Sequence, residues 1–221
     1  GMEQALNSIP DIIVSDIMMP VMNGIMMCKI LKEDVRTSHI PIILLTAKDS
    51  LQDKEEGYQV GADSYLTKPF SATLLHSRIN NLLESRKRLT ERFNTSTPHH
   101  NMDEKRALLA ESLNKLDNEF IEKINQLIEA RLSSEKIDIG YLADNMCMSK
   151  STLYRKMKAL TGLSTNEYVR KIKMQHAERL LLEGRYNISE VAFRVGINSV
   201  VYFRQCFKEE FGVLPSEYLK Q

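Results

Sequence analysis

A repeat about 50 residues long constrains this 221-residue chain more than any other feature. Leu142-Ala143 returns as Val191-Ala192, 49 positions on. Lys158, Gly162 and Glu167-Tyr168 return as Lys208, Gly212 and Glu217-Tyr218, 50 positions on. Each copy has a short helical pattern holding a buried-type Ala, a tight turn, and a longer helical pattern opened by Ser149 or Ser199. Small residues let two helices cross closely, and serine caps a helix by accepting a hydrogen bond from its first turn. Gly196 suits the turn, which calls for positive φ. Cys147 holds the same place in the first copy, where positive φ costs a non-glycine residue about 1 kcal/mol. The one-residue offset places an extra residue after the turn of the second copy. The pattern predicts two helix-turn-helix units in tandem, joined by a helix over 166–183.

Residues 1–86 read differently. The runs at 11–15 and 40–45 are short, apolar and rich in β-branched residues, as buried parallel strands are. A third strand is predicted over 63–67. Helical spacing covers 24–32 and 51–60, and Ser71 is placed to cap a long helix from 72 into the Arg86-Lys87-Arg88 region. The order βαβαβα predicts a parallel sheet with helices on its faces. The polar segment 94–101, which includes Pro98 and the pair His99 and His100, reads as a linker.

Charge divides the chain the same way. The net charge of +1 is nearly neutral, but residues 133–221 carry 14 Lys and Arg against 10 Asp and Glu. Seven of those cations lie between Lys150 and Lys173 with one anion, Glu167. Clustered cations are the footprint of nucleic-acid binding, although a charge run also makes an ordinary solvated face. The 43% apolar content excludes a globally disordered chain. No apolar run approaches the roughly 18 residues of a membrane helix, and no signal peptide opens the sequence. Three widely separated cysteines argue against a disulfide framework and fit a cytoplasmic location. No Ser/His/Asp triad, glycine-rich phosphate loop or zinc motif appears, so no enzymatic activity is expected.

In the first half, Asp16 closes the strand at 11–15, Thr46 closes the next and Lys68 follows the third. Open α/β sheets keep their sites at this edge of the strands. A carboxylate can accept a phosphoryl group, while a hydroxyl and an ammonium beside it bind the phosphate oxygens. Met18, Met19, Met22, Met26 and Met27 read as core and loop filling rather than a soft-metal site.

The motifs PDIIVSDIMMPVMNG at 10–24, PIILLTA at 41–47 and Lys68-Pro69 resemble a response-regulator receiver domain. The resemblance implies a flavodoxin-like α/β receiver over 1–93. Asp16 would be its phosphoacceptor, Thr46 the switch hydroxyl, Lys68 the phosphate-binding lysine and Tyr65 the switch aromatic. A cis Lys68-Pro69 bond is implied too. A complete receiver would carry a further strand, helix and strand before Asp11, including an acidic pair for Mg²⁺. The receiver is therefore expected to be incomplete at its N-terminus. Of the metal site only the Asp16 carboxylate and the Met18 carbonyl are expected here, with Mg²⁺ bound in the intact parent receiver.

The tandem repeat and its closing stretch FKEEFGVLPSEY at 207–218 resemble the AraC-type DNA-binding domain. An all-α domain is expected over 118–221, behind a linker at 94–117. By resemblance, Ser151, Tyr154 and Arg155 in the first unit and Val201, Arg204 and Gln205 in the second face bases in the major groove of double-stranded DNA. Lys150, Lys156, Lys158, Lys171 and Lys208 are expected at phosphates. Leu153, Met157, Phe203, Phe207, Phe211 and Tyr218 are assigned to the core.

The two halves together resemble the C-terminal part of Bacteroidetes hybrid two-component regulators. That implies a phosphodonor histidine kinase in the same parent chain, an inner-membrane sensor upstream, a homodimer on activation and control of carbohydrate-utilisation genes. This portion itself would make no direct membrane contact. A protein-interaction module with the receiver as a phosphate sink is the alternative.

Overall fold

A computed structural model describes residues 1–47, 60–94, 114–133 and 137–219. The described residues divide into two compact units, 1–92 with 114–118, and 119–219 with 93–94.

The first unit runs α1 (Met2–Ser8), β1 (Ile13–Asp16), α2 (Gly24–Glu33), β2 (Ile42–Thr46), β3 (Ser64–Thr67) and α3 (Ala72–Asn94). The strands form a parallel sheet in the order β1-β2-β3. Asp16 pairs with Leu45 and Thr46 with Thr67, so the three strands end nearly level. Ile42, Ile43 and Leu44 of the central strand are fully buried, as an unbroken apolar run requires. β1 is less covered than its composition suggests, with Val14 38% exposed.

Asn23 caps α2 by accepting from Met26 N at 2.7 Å. That helix buries Met27, Cys28 and Leu31 against Ile42 and Leu44, with Ala5 of α1 in the same cluster. Ser71 accepts from Leu74 N at 3.2 Å, the cap that the sequence predicts for α3. The strands sit one or two residues from their predicted bounds, and α1 is an element that the sequence patterns did not reveal. The helix predicted over 51–60 lies outside the described residues except for Val60. Most of the predicted linker, including His99 and His100, lies outside them too.

The remaining helices are α4 (Lys115–Glu129), α5 (Ile139–Asn145), α6 (Lys150–Thr161), α7 (Thr165–Leu182), α8 (Ile188–Arg194), α9 (Val200–Phe211) and α10 (Pro215–Tyr218). The first turn of α4 belongs to the first unit. There Ser38 Oγ donates to Asp117 Oδ1 at 2.7 Å, and Asn114 Nδ2 donates to the Ser38 carbonyl at 3.1 Å. Thus 114–117, placed in the linker by sequence, are the cap and opening turn of a helix.

From Phe120 onward α4 lines the core of the second unit with Ile124 and Ile128. Helix α7 is covered around its circumference over 171–175, and buries Tyr168, Ile172, Met174, Ala177 and Leu181. Tyr168 donates its hydroxyl to Asn125 Oδ1 at 2.9 Å. Phe207 stacks between Phe203, Phe211 and Tyr218 at centroid distances of 5.9, 4.5 and 5.6 Å. Leu153, Met157, Phe203 and Phe207 are core residues as assigned, whereas Phe211 and Tyr218 are half-buried at its margin.

Candidate functional site: a phosphoryl-type rim and a DNA-reading face

The level strand ends bring Asp16 and Lys68 together. Lys68 Nζ hydrogen-bonds Asp16 Oδ2 as an ion pair, with both side chains about a third to a half exposed. Met18 N donates to Asp16 Oδ1 at 3.2 Å. These contacts hold the Asp16 carboxyl below the usual carboxylate range, the Lys68 hydrogen bond most of all. The Lys68-Pro69 bond is cis. Thr46 is buried at the end of β2, and its hydroxyl donates to the Ala47 carbonyl at 3.2 Å. The Thr46 carbonyl accepts from Lys68 N at 2.8 Å, which ties the second and third strand ends together. Tyr65 lies half-buried against the core cluster one strand over.

Two features of the 17–24 loop were not legible in the sequence. Val21 has φ +72° and is fully exposed, a left-handed conformation that a β-branched residue rarely adopts. Gly24 lies so close to the strand that a Cβ there would stand 2.2 Å from the Asp16 carbonyl oxygen. This glycine closes the loop, donating its N–H to the Ile17 carbonyl at 2.9 Å. Of the five methionines, Met27 fills the core and Met19 and Met22 pack against it, while Met18 and Met26 are exposed.

A divalent cation such as Mg²⁺ takes about six oxygen ligands. The rim offers one carboxylate, Asp16, already bonded to Lys68, and the neighbouring Met18 carbonyl. No group of three or more His, Cys, Asp or Glu side chains suited to a metal occurs among the described residues.

In the second unit the repeat becomes repeated geometry. Met148 N bonds the Ala143 carbonyl at 2.9 Å, and Ile197 N bonds the Ala192 carbonyl at 2.9 Å. Cys147 has φ +52° and Gly196 φ +66°, so the cysteine does adopt the left-handed turn. Ser149 accepts from Thr152 N at 3.0 Å and Ser199 from Tyr202 N at 3.2 Å. Gly162 and Gly212 end α6 and α9 with φ +72° and +79°. Beyond those glycines, Glu167 accepts from Ser164 N and Glu217 from Leu214 N. Both crossing alanines are buried, Ala143 at 1% exposure and Ala192 at 0%.

The side chains expected to face bases are all exposed: Ser151, Tyr154 and Arg155 on α6, and Val201, Arg204 and Gln205 on α9. Lys150, Lys158 and Lys208 are exposed as well. Lys156 and Lys171 do not fit the phosphate role. Lys156 is fully buried with its ammonium 4.9 Å from the centroid of the Phe120 ring. Lys171 is buried and pairs with Glu210 at 3.2 Å. Lys173, another member of the cation cluster, is also buried and donates to the Gly196 carbonyl at 3.2 Å. Packing against Lys156 of α6 and around 171–175 of α7 turns part of the charge run inward, which the charge count could not register.

A parallel sheet with Asp16, Thr46 and Lys68 at its strand ends and a tandem helix-turn-helix are the folds of regulatory domains. Comparison with known proteins agrees. Residues 1–80 match the response regulator receiver domain, and residues 142–221 match a helix-turn-helix domain. The chain is 35% identical over 218 residues, 99% of its length, to a protein of Formosa agariphila named histidine kinase P4. It spans only 15% of that relative. It is 40% identical over 91 residues to the DNA-binding dual master transcriptional regulator RpaA of Synechocystis, which covers 41% of this chain and 38% of RpaA. Among solved structures, the C-terminal domain of AraT, a response regulator from Geobacillus stearothermophilus, is 31% identical with a TM-score of 0.42, covering 46% of this chain and 84% of that one. The chain carries a response-regulator receiver domain followed by an AraC-type helix-turn-helix domain. That pairing is the one of a two-component regulator acting as a transcription factor.

Proposed function

We propose that this chain is the output end of a hybrid two-component regulator, in which phosphorylation of Asp16 controls sequence-specific binding to double-stranded DNA. The observation that carries this reading is the pair of exposed faces on α6 and α9, each carrying an arginine. Arg155 and Arg204 each suit a bidentate pair with guanine, Gln205 suits adenine, and Val201 offers apolar contact to a thymine methyl. Ser151 and Tyr154 complete the first face. Lys150, Lys158 and Lys208 bond phosphates and set the position on the duplex.

At the rim, Asp16 accepts the phosphoryl group. Lys68 then moves its bond from the carboxylate to the phosphoryl oxygens, and Thr46 turns from the Ala47 carbonyl toward them. Tyr65 repacks behind Thr46. These shifts alter the face of α3, favour a homodimer and so raise affinity for a two-part DNA site. The extended likeness to a protein named a histidine kinase supports a phosphodonor kinase in the same parent polypeptide. An upstream sensor would anchor the parent in the inner membrane, with this portion in the cytoplasm. No helix among the described residues is long and apolar enough to cross a membrane. Carbohydrate-utilisation genes are the proposed targets.

A salt-dependent DNA titration tests the reading. Arg155→Ala and Arg204→Ala should each lose selectivity at separate base pairs, at a cost of about 1–3 kcal/mol for the preferred sequence. Binding that is salt-sensitive but equal on all sequences in the unaltered chain would sink the proposal. A receiver serving only as a phosphate sink beside a protein-binding module would show no DNA binding even at low salt.

A further inference from the structure

On α9 a chain of polar contacts reaches back from the reading face into the body of the second unit. Gln205 Nε2 donates to Glu209 Oε1 at 3.1 Å, one turn along the same helix. The other carboxylate oxygen of Glu209 lies 3.6 Å from Arg170 Nη1 on α7. Glu209 is thereby tied to a second element, and the amide of Gln205 is tied to Glu209.

A glutamine amide has two unlike ends, an oxygen that accepts and a nitrogen that donates twice. Free to rotate, it can accept from adenine or cytosine, or donate to guanine or thymine. Turning Oε1 toward the Glu209 carboxylate would set acceptor against acceptor and leave both without a proton to share. With Nε2 held by Glu209, one amide hydrogen is engaged, and Oε1 and the second hydrogen remain. That is the acceptor and donor pair that the N6 and N7 edge of adenine takes. Glu209 itself carries the wrong charge for a phosphate contact.

We propose that Glu209, held by Arg170, is a positioning residue that fixes the amide orientation of Gln205 and so sets a preference for adenine at one base pair. The inference rests on the base-reading role proposed for Gln205.

The test uses the full chain. A duplex is selected with it from a randomised pool, and affinity is measured for all four base pairs at every position. Gln205→Ala identifies the position, where its preference for adenine should collapse. Glu209→Ala should flatten the same position from about tenfold to about twofold and leave the other positions unchanged. Glu209→Gln, whose amide oxygen can still accept from Gln205, should restore most of the preference. A Glu209→Ala chain that keeps the adenine preference overturns the inference. So does one that weakens every sequence equally, since that reports a purely structural role. A Gln205→Ala chain unchanged at every position overturns the base-reading role itself, and the silent variant tells the two failures apart. A wild-type chain that selects no sequence overturns both.

Discussion

Asp16 and Lys68 form an ion pair open to solvent, and its consequence is electrostatic rather than structural. The Lys68 bond lowers the Asp16 carboxyl below its ordinary 3.8. A carboxyl lowered in the folded state adds stability above its unfolded pKa and loses it as pH falls through the folded value. In Lys68→Met, Asp16 should therefore titrate at a higher pH than in the wild type in a carboxyl-carbon NMR titration. The stability difference from the wild type should be constant above that pH and vanish below the wild-type value. Lys156 and Lys158, two positions apart, separate burial from charge in the same way. Lys158→Ala should reduce the slope of log affinity against log salt by about 1. Lys156→Ala should leave the slope alone and lower unfolding free energy, because it removes a buried stem and its cation–π contact with Phe120.

The elements are held at a few backbone positions that tolerate little change. Cys147 sits at φ +52° where the second repeat has Gly196. Cys147→Gly should raise stability to urea by about 1 kcal/mol, because glycine enters the left-handed region without the Cβ clash. No gain would mean that the surrounding turn has already relaxed the strain. Gly24 is the opposite case. Gly24→Ala would press a Cβ against the Asp16 carbonyl, so the end of β1 or the start of α2 must shift. A loss of about 1–3 kcal/mol is expected in the same assay. A drop in phosphoryl acceptance should accompany it, since the loop that follows Asp16 is displaced. The turns of the two repeats were readable from Ala, Ser and Gly spacing, since hydrogen bonds within a few residues set their geometry. Helix α1 was not readable, because its seven residues bury only Ala5 and show almost no period.

In the proposed reading a rim on the first unit handles phosphoryl chemistry and a face on the second handles bases, and the two sets of side chains share no residue. Asp16→Asn should therefore abolish labelling by a phosphodonor while leaving the salt slope of DNA binding unchanged. A slope altered by that substitution would show that the Asp16 charge itself contributes to DNA binding. Local pattern determined much here: the parallel strands from their β-branched runs, the rim residues from the strand ends, and both helix-turn-helix units from a repeat in sequence. Each of these depends on neighbours within a turn or on a two- or 3.6-residue period. Only the tertiary structure decided which cations point inward. Lys156, Lys171 and Lys173 occupy helix positions whose polarity reads as surface, yet α6 and α7 are covered there by Phe120, Glu210 and the turn at Gly196. Burial is a property of what packs against a face, and the packing partners lie from 23 to 39 positions away along the chain. The same holds for Gln205, whose exposure follows from helical spacing while its orientation follows from Glu209 and, through it, from Arg170 on another helix.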